Sequence, residues 1–354
     1  MSEKPEADLL GAGCPVPFSQ YDRVVLGHGS GGRLSHDLLS GLLLPALGCS
    51  TGGPLEDQAI LDGHVGRLVM TTDSFVVSPL FFPGGDIGRL AVFGTVNDLA
   101  VGGALPSYLS LAFILEEGLP LSVLERVAKS VRIACVEARV RIVTGDTKVV
   151  GRGKGDGLFI NTTGVGFVAP ARRLSVARAE PGDAVIVSGT IGDHGIAVLA
   201  EREGIELETR LLSDAAPVTG LVQSVLELGC EVRCFRDPTR GGISSTLNEI
   251  AIASSVGIRL RERSIPVRAE VRGACELLGF DPLYVACEGR VVAIVAKEGA
   301  EAIVDAMRRH ELGRDAAIIG EVVAGHPGMV TVESSIGGER VAPMLSGEQL
   351  PRIC

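Results

Sequence analysis

The chain has 354 residues, 46% apolar and 21% charged, with abundant glycine, few aromatics and no tryptophan. That balance excludes a disordered protein and suits an α/β protein of two ordinary domains, because a single hydrophobic core rarely grows to this length. The net charge of −10 would repel a nucleic-acid backbone with no basic stripe to offset it, so no nucleic-acid partner is expected; a nucleotide stays compatible, because carboxylate-held Mg²⁺ reverses the local charge.

The start, MSEKPEADLL, lacks the basic segment and apolar run of a signal peptide, and no apolar stretch has membrane-spanning length, so a cytoplasmic protein with no membrane partner is expected. Residues 1–20 read as an arm without its own core. RVVLG then reads as a strand and RLSHDLLSGLLLPAL as a helix, with Leu38, Leu42 and Leu43 at helical spacing. RLVMTTDSFVV alternates as a strand does. Asp86 is placed to cap a helix that runs to Leu99 and stops at Gly102-Gly103, which puts Asn97 and Asp98 at its end. Ser122 and Glu125 form a capping-box pattern for a further helix, followed by the strand RIVTGD.

A boundary is expected near Pro170, where an apolar strand gives way to the arginine-rich ARRLSVARAEPGD. Beyond it AVIVSG, a helix from His194 to Glu203, VRCFRD, a helix from Gly241 to Ser254, VVAIVAK, AEAIVDAMRRH and AAIIGEVVA alternate as a second α/β unit. The division is therefore an arm over 1–20, a first domain over 21–170, a second over 171–336, and a terminal strand with a mobile tail over 337–354. Of the eight cysteines none has zinc-site spacing, and all but Cys354 read as scattered thiols.

GHGSGG, Gly27 to Gly32, matches G-x-G-x-x-G between a predicted strand and helix, yet the acidic residue of a dinucleotide site is missing downstream. Three readings stay open for it: a dinucleotide turn, a glycine turn without a ligand, or a loop that folds over phosphates. GRGKGDG lacks the Ser or Thr that a P-loop needs after its lysine. Asp57, Asp73, Asp98, Asp146 and Asp237 each end an apolar segment beside Gly, Thr or another polar turn residue. Singly each reads as a cap; together they form a candidate carboxylate set for Mg²⁺ shared with phosphate.

These segments, in this order, resemble the superfamily of aminoimidazole ribonucleotide synthetase, selenophosphate synthetase, thiamine-monophosphate kinase and the HypE hydrogenase-maturation proteins. Within it, GHGSGGR, TGDTKVVGRGKGDGLFINTTGVG, FRDPTRGG, ACEGR and the final PRIC resemble the HypE family from Arg23 to Cys354. The resemblance implies a PurM-like fold: an amino-terminal half-barrel domain that dimerises, an α/β second domain, and ATP bound between them. It implies Asp57, Asp98, Asp146 and Asp237 as magnesium contacts, and Gly29, Gly31, Gly32, Asp73, Asn97 and Thr147 at the nucleotide. It further implies ATP-dependent dehydration of a carbamoyl group on Cys354 to a cyanide, HypF as carbamoyl donor, the HypC–HypD complex as cyanide acceptor, and a homodimer.

Chemistry gives the residues roles within that implication. Transfer of the γ-phosphoryl group turns a poor leaving oxygen into phosphate, with Lys148 and magnesium neutralising charge. Glu288 is the first choice for the base that removes the amide protons and His28 the reserve. A tail from Pro343 to Cys354 reaches roughly 35 Å when extended. Two departures from the family pattern are a longer amino-terminal arm and Cys287 before Glu288 where a small polar residue is expected. The alternative function is a small-molecule kinase or cyclo-ligase of the same superfamily.

Overall fold

A computed structural model describes residues 21–30, 32–49, 59, 61, 66–205, 209–347, 350 and 352–354. The expected arm over 1–20 and the expected site residues Asp57 and Gly31 lie outside these residues.

The first unit is a four-stranded sheet with helices on one face. Strands β1 (Arg67–Phe75), β2 (Leu105–Glu116), β3 (Arg141–Val150) and β4 (Leu158–Val168) lie in the order β1-β4-β2-β3, antiparallel except for the parallel β2–β3 pair. Helices α1 (Ile87–Val101) and α2 (Leu121–Ala138) pack on it through Leu90, Phe93, Leu124 and Val127 against Leu109, Leu111 and Phe113. Asp86 caps α1, its Oδ1 accepting from Gly88 N at 2.8 Å and Arg89 N at 3.1 Å. Its other oxygen accepts from Ser130 Oγ of α2 at 2.6 Å, which joins the two helices. The opposite face is open and carries Leu68 and Met70, 62% and 66% exposed, with Leu105 and Ile114.

The second unit is a seven-stranded sheet. Its strands are β5 (Ala184–Val187), β6 (Val232–Arg236), β7 (Gly257–Arg261), β8 (Val292–Val295), β9 (Ala317–Val323), β10 (Val330–Glu333) and β11 (Glu339–Val341), in the order β11-β10-β7-β9-β5-β8-β6. Helix α3 (Asp193–Glu203) leaves β5. Helices α4 (Thr219–Leu226) and α7 (Ala300–Arg309) cover one face through Leu221, Val225, Ile303 and Met307; α5 (Gly242–Ser254) covers the other through Ile243, Leu247 and Ile250. Helix α6 (Ala269–Leu278) buries Val271 with Ile196 of α3. Ala100 and Val101, at the end of α1, join the core beneath α4, so the first unit's central helix ends against the second unit.

Three local expectations are corrected. RVVLG makes one bridge, Arg23 to Pro120, and then turns as a 3-10 segment at Leu26–Gly29, because Gly29 packs so closely on β3 that a Cβ there would stand 2.5 Å from Val149 N. The capping box at Ser122 does not form: α2 starts two residues earlier than that cap implies, at Leu121 with Pro120 as N-cap, and Glu125 pairs with Lys129 instead. Helix 33–47 passes through a π-type stretch, Leu39–Leu43, just before Pro45, whose ring nitrogen offers no hydrogen to the helical ladder. Among the described residues no helix is long and apolar enough to cross a membrane.

Asp86→Ala removes a double cap and the α1–α2 link together, and is expected to lower stability by about 2 kcal/mol in urea unfolding; a change below about 0.5 kcal/mol would show that the link contributes nothing.

Candidate active site

Four elements bring carboxylates to the seam between the units. Strand β1 delivers Asp73 on its helix-facing side, where Oδ2 lies 3.9 Å from the Cβ position of Gly94 on α1. The last turns of α1 deliver Asn97 and Asp98, the loop after β6 delivers Asp237, and the approach to β8 delivers Glu288. Thr71 Oγ1 donates to Asp98 Oδ2 at 2.8 Å, fixing that carboxylate above the sheet.

Burial dominates the electrostatics here. It raises the Asp73 carboxyl, with the Ser74 N–H pulling the other way. It raises Asp98 too, against the Thr71 hydrogen bond and with help from the charge of Asp73. Asp237 is pushed up to about 7 by burial and then by Asp98. Glu288 is 3% exposed and raised well above the carboxylate range, by burial first and then by Asp237, Asp214, Asp73 and Asp98. Its Oε1 is buried with no hydrogen-bond partner, the state of a group held for something else to meet.

The backbone of Glu288 is fixed from two sides. Its N–H donates to Asp214 Oδ1 at 3.0 Å, and its carbonyl accepts from Asn97 Nδ2 at 3.1 Å. Asn97 also donates to Ala216 O and accepts from Val218 N, so its amide ties α1 to the second unit directly under Glu288. Gly289 permits this approach: a Cβ there would stand 1.8 Å from Asp214 O. Cys287 is fully buried, and its sulfur accepts from Gly192 N at 3.2 Å, so the departure at this position is absorbed by the start of α3.

The end of the chain, expected as a free tail, is seated in this seam. Val76 N donates to Cys354 O and Ser78 N to Arg352 O, both at 3.2 Å, so the last residues pair with the segment that leaves β1. Ile353 is 3% exposed in the core that contains Phe82, Val198, Ala215 and Ala286. Arg352 pairs with Asp156 of the GRGKGDG loop. The Cys354 thiol is raised beyond the ordinary thiol range, by burial first and then by Glu288, with Arg240 acting the other way and Asp73 adding to it.

Other expected residues lie elsewhere. Asp146 and Lys148 pair at 3.0 Å, 59% and 64% exposed, and the pair holds the Asp146 carboxyl below its usual range. Their β2 partners are Ala112 and Ile114, on the open sheet face, whereas Asp73 faces the helices. Three strand spacings, roughly 14 Å, also separate β3 from β1. Thr147 is opposite Phe113, toward the helices but on the edge strand. Gly29 and Gly32 flank the turn beside β3. His28 is 3% exposed, accepts from Val25 N at 3.1 Å and meets Tyr21 edge-on, so it packs the turn and does not face the carboxylates' seam as a reserve base.

Sequence reasoning passed over His194 and Arg202. His194 is fully buried, 2.8 Å from Ser213 Oγ and 2.9 Å from Ile353 O. Arg202 Nε donates to Ser78 O and Nη2 to Arg352 O, each at 2.7 Å. The signal for His194 was its place in an apolar stretch directly after a strand and Gly192; Arg202 gave none, lying among the charged residues of a helix end.

The N-terminal domain of AIR synthase related proteins matches residues 55–168, and their C-terminal domain matches residues 180–333. The carbamoyl dehydratase HypE of Azotobacter vinelandii is 55% identical over 327 residues, covering 92% of this chain and 96% of that protein. A crystal structure of the hydrogenase maturation protein HypE in complex with ATP superposes with a TM-score of 0.88 at 47% identity, over 93% of this chain and 99% of that one. The HypE chain of a HypE–HypF complex gives 0.76 at 44% identity, over 88% and 99%. Two matched domains in one order and identity near one half across almost the whole length have one meaning: the chain belongs to the HypE family of AIR synthase related proteins.

Proposed function

We propose that this protein is an ATP-dependent carbamoyl dehydratase that converts an S-carbamoyl group on its own Cys354 into an S-cyanide, the cyanide source for the iron of a hydrogenase. The observation that carries the reading is the seating of Cys354 in the same seam as Glu288, whose Oε1 is buried and unpartnered. The relatives named carbamoyl dehydratase and the neighbour bound to ATP support the same activity and cosubstrate. A diffusible substrate, as a small-molecule kinase or cyclo-ligase requires, would have to compete with this seated end.

The balanced reaction is RS–C(O)NH₂ + ATP → RS–CN + ADP + phosphate, with the carbamoyl oxygen leaving in the phosphate. That oxygen attacks the γ-phosphorus, forming a C–O–P linkage and releasing ADP. Loss of the nitrogen's protons then forms the C≡N bond as the C–O bond breaks and phosphate departs. Glu288 is the base: burial and the surrounding carboxylates raise its affinity for a proton, which is what an amide N–H requires. A thiolate would be costly in this seat, so the sulfur takes up its carbamoyl group away from it and returns neutral.

The carboxylates fit a divalent cation chemically: Asp98 and Asp237 are oxygen donors whose proton affinity burial and mutual repulsion raise, with Asp73 beside them. Among the described residues no ready-formed metal cluster exists, so donors from the nucleotide would complete the shell. Magnesium held there would supply the positive charge that ionises these groups and neutralises the transferring phosphoryl group. Asp57 belongs to this proposed set, and Asp146 joins it only from a different position than its ion pair with Lys148. The glycines Gly29, Gly31 and Gly32, with Thr147, would line the nucleotide, and Lys148 would meet its phosphates.

The open sheet face, with Leu68, Met70, Leu105 and Ile114 exposed, suits the homodimer that half-barrel pairing implies. HypF is the carbamoyl donor in this reading, as the HypE–HypF complex supports. The HypC–HypD complex is the cyanide acceptor, and the cytoplasm the compartment. The domain limits at 170 and 336 remain part of the proposal.

After incubation with HypF, carbamoyl phosphate and ATP, mass spectrometry of the terminal peptide is expected to show one carbamoyl group gained and then one water lost. Glu288→Gln should stop at the carbamoyl stage, slowing dehydration at least about 100-fold; full conversion would remove Glu288 from the base role. The raised folded-state pKa of Asp237 means that the folded chain holds a proton the unfolded chain releases between about pH 4 and pH 7, so stability falls as pH rises through that window. Asp237→Asn should therefore stabilise metal-free protein at pH 7.5 by on the order of a few kcal/mol, with no gain near pH 4, and should remove stabilisation by MgATP. Equal melting curves at both pH values would contradict this.

A further inference from the structure

The chemistry proposed above uses neither His194 nor Arg202, yet both grip the seated end. Both come from α3, about two turns apart. The Ile353 carbonyl has only lone pairs to offer, so His194 meets it with Nε2–H, which leaves Nδ1 as the acceptor for Ser213 Oγ–H. Ala215 N donates to the same Ser213 oxygen at 3.1 Å, which turns the hydroxyl hydrogen toward the ring and fixes this tautomer. Burial keeps the imidazole neutral, as the arrangement requires, although Asp214 acts the other way.

Arg202 spans the pairing itself. Its donors reach Ser78 O on one side and Arg352 O on the other, so one guanidinium holds both backbones together. The Ser78 and Arg352 pairing, the Arg202 bridge and the His194 bond all act on main-chain atoms, and Ile353 fills an apolar pocket between them. Sulfur position is thereby set by the backbone next to it, which leaves the sulfur itself free to carry cargo.

We infer that His194 and Arg202 are positioning residues for the dehydration step, holding residues 352–354 by their carbonyl oxygens so that the loaded sulfur stays beside Glu288. This inference rests on the dehydratase reading. It adds that geometry at the reacting centre depends on two side chains from the second unit that touch neither nucleotide nor carbamoyl group, and such misplacement costs rate steeply.

The test uses full-length protein in two arms. In the first, alkylation of Cys354 by iodoacetamide is followed by mass spectrometry of the terminal peptide; Arg202→Ala should speed it about tenfold, the loss of one charged hydrogen bond. In the second, carbamoyl-loaded protein is mixed with saturating MgATP in a single turnover; cyanide formation should slow about tenfold or more with the KM for ATP unchanged, and Arg202→Lys should recover part of it. His194→Gln, which keeps a donor and an acceptor, should fall between parent and His194→Ala. Unchanged alkylation and turnover in Arg202→Ala overturn the inference, as does a loss explained wholly by a higher KM for ATP. If the loaded parent protein itself makes no cyanide, the dehydratase reading fails, while the alkylation arm still decides whether these residues hold the seat.

Discussion

The pairing of residues 352–354 with the segment Val76–Ser78 is the interaction on which the rest of this structure turns. In the proposed reaction its strength has to be intermediate, because the same residues must hold the sulfur during chemistry and release it for exchange with partners. Hydrogen bonds from Val76, Ser78, His194 and Arg202 each contribute roughly 1 kcal/mol, whereas ordering a residue costs roughly 1–2 kcal/mol. The balance is near zero until burial of Ile353 adds about 2 kcal/mol. That balance favours the seated state by about 2 kcal/mol, shallow enough for the proposed exchange of cargo.

The charge distribution around the seat explains why it needs a nucleotide to act. Asp73, Asp98, Asp237, Asp214 and Glu288 crowd one seam, and the arginines near it are partly committed: Arg236 to Glu249 outside it, and Arg290 shared between Asp193 and the seam's own Asp214. Burial and neighbouring carboxylates raise the proton affinity of Asp98, Asp237 and Glu288, and a divalent cation would lower it. In this account the base and the cation site are one electrostatic unit: what lowers the proton affinity of Asp98 and Asp237 also tunes Glu288. Asn97 and Asp214 hold the backbone of Glu288, so the proposed base sits on the same cross-link that joins the two units.

Much of this was legible in the sequence because local rules and tertiary packing agreed. Asp86 sits where an N-cap must, and α1 follows to Gly102 with Asn97 and Asp98 near its end, as the apolar spacing implied. The strands at Ala184–Val187, Val232–Arg236, Val292–Val295 and Ala317–Val323 fell on apolar runs flanked by helices, the pattern of an α/β layer, whereas β7 at Gly257–Arg261, with arginines at alternate positions, was passed over. RVVLG failed because a strand needs a ladder of partners, and among the described residues it makes one bridge, Arg23 to Pro120 in the turn after β2. The carboxylates were visible as a set, but which of them meet was not: β-strand alternation puts Asp146 and Lys148 on the face opposite Asp73, a fact set by register across strands distant in sequence. His194 and Arg202 were invisible as a pair because their common partner, the backbone of residues 352 and 353, lies about 150 positions away and carries no side-chain signature.

The central claim is that the loaded sulfur sits beside Glu288 while its neighbours hold the chain by its backbone. A crystal structure of the S-carbamoylated protein with a non-hydrolysable ATP analogue and magnesium tests it most directly. The account predicts the carbamoyl nitrogen within hydrogen-bond reach of Glu288 Oε1, its oxygen facing the γ-phosphate, and residues 352–354 still paired with Val76 and Ser78. A carbamoyl group bound in order elsewhere, with Glu288 turned to another partner, would contradict it.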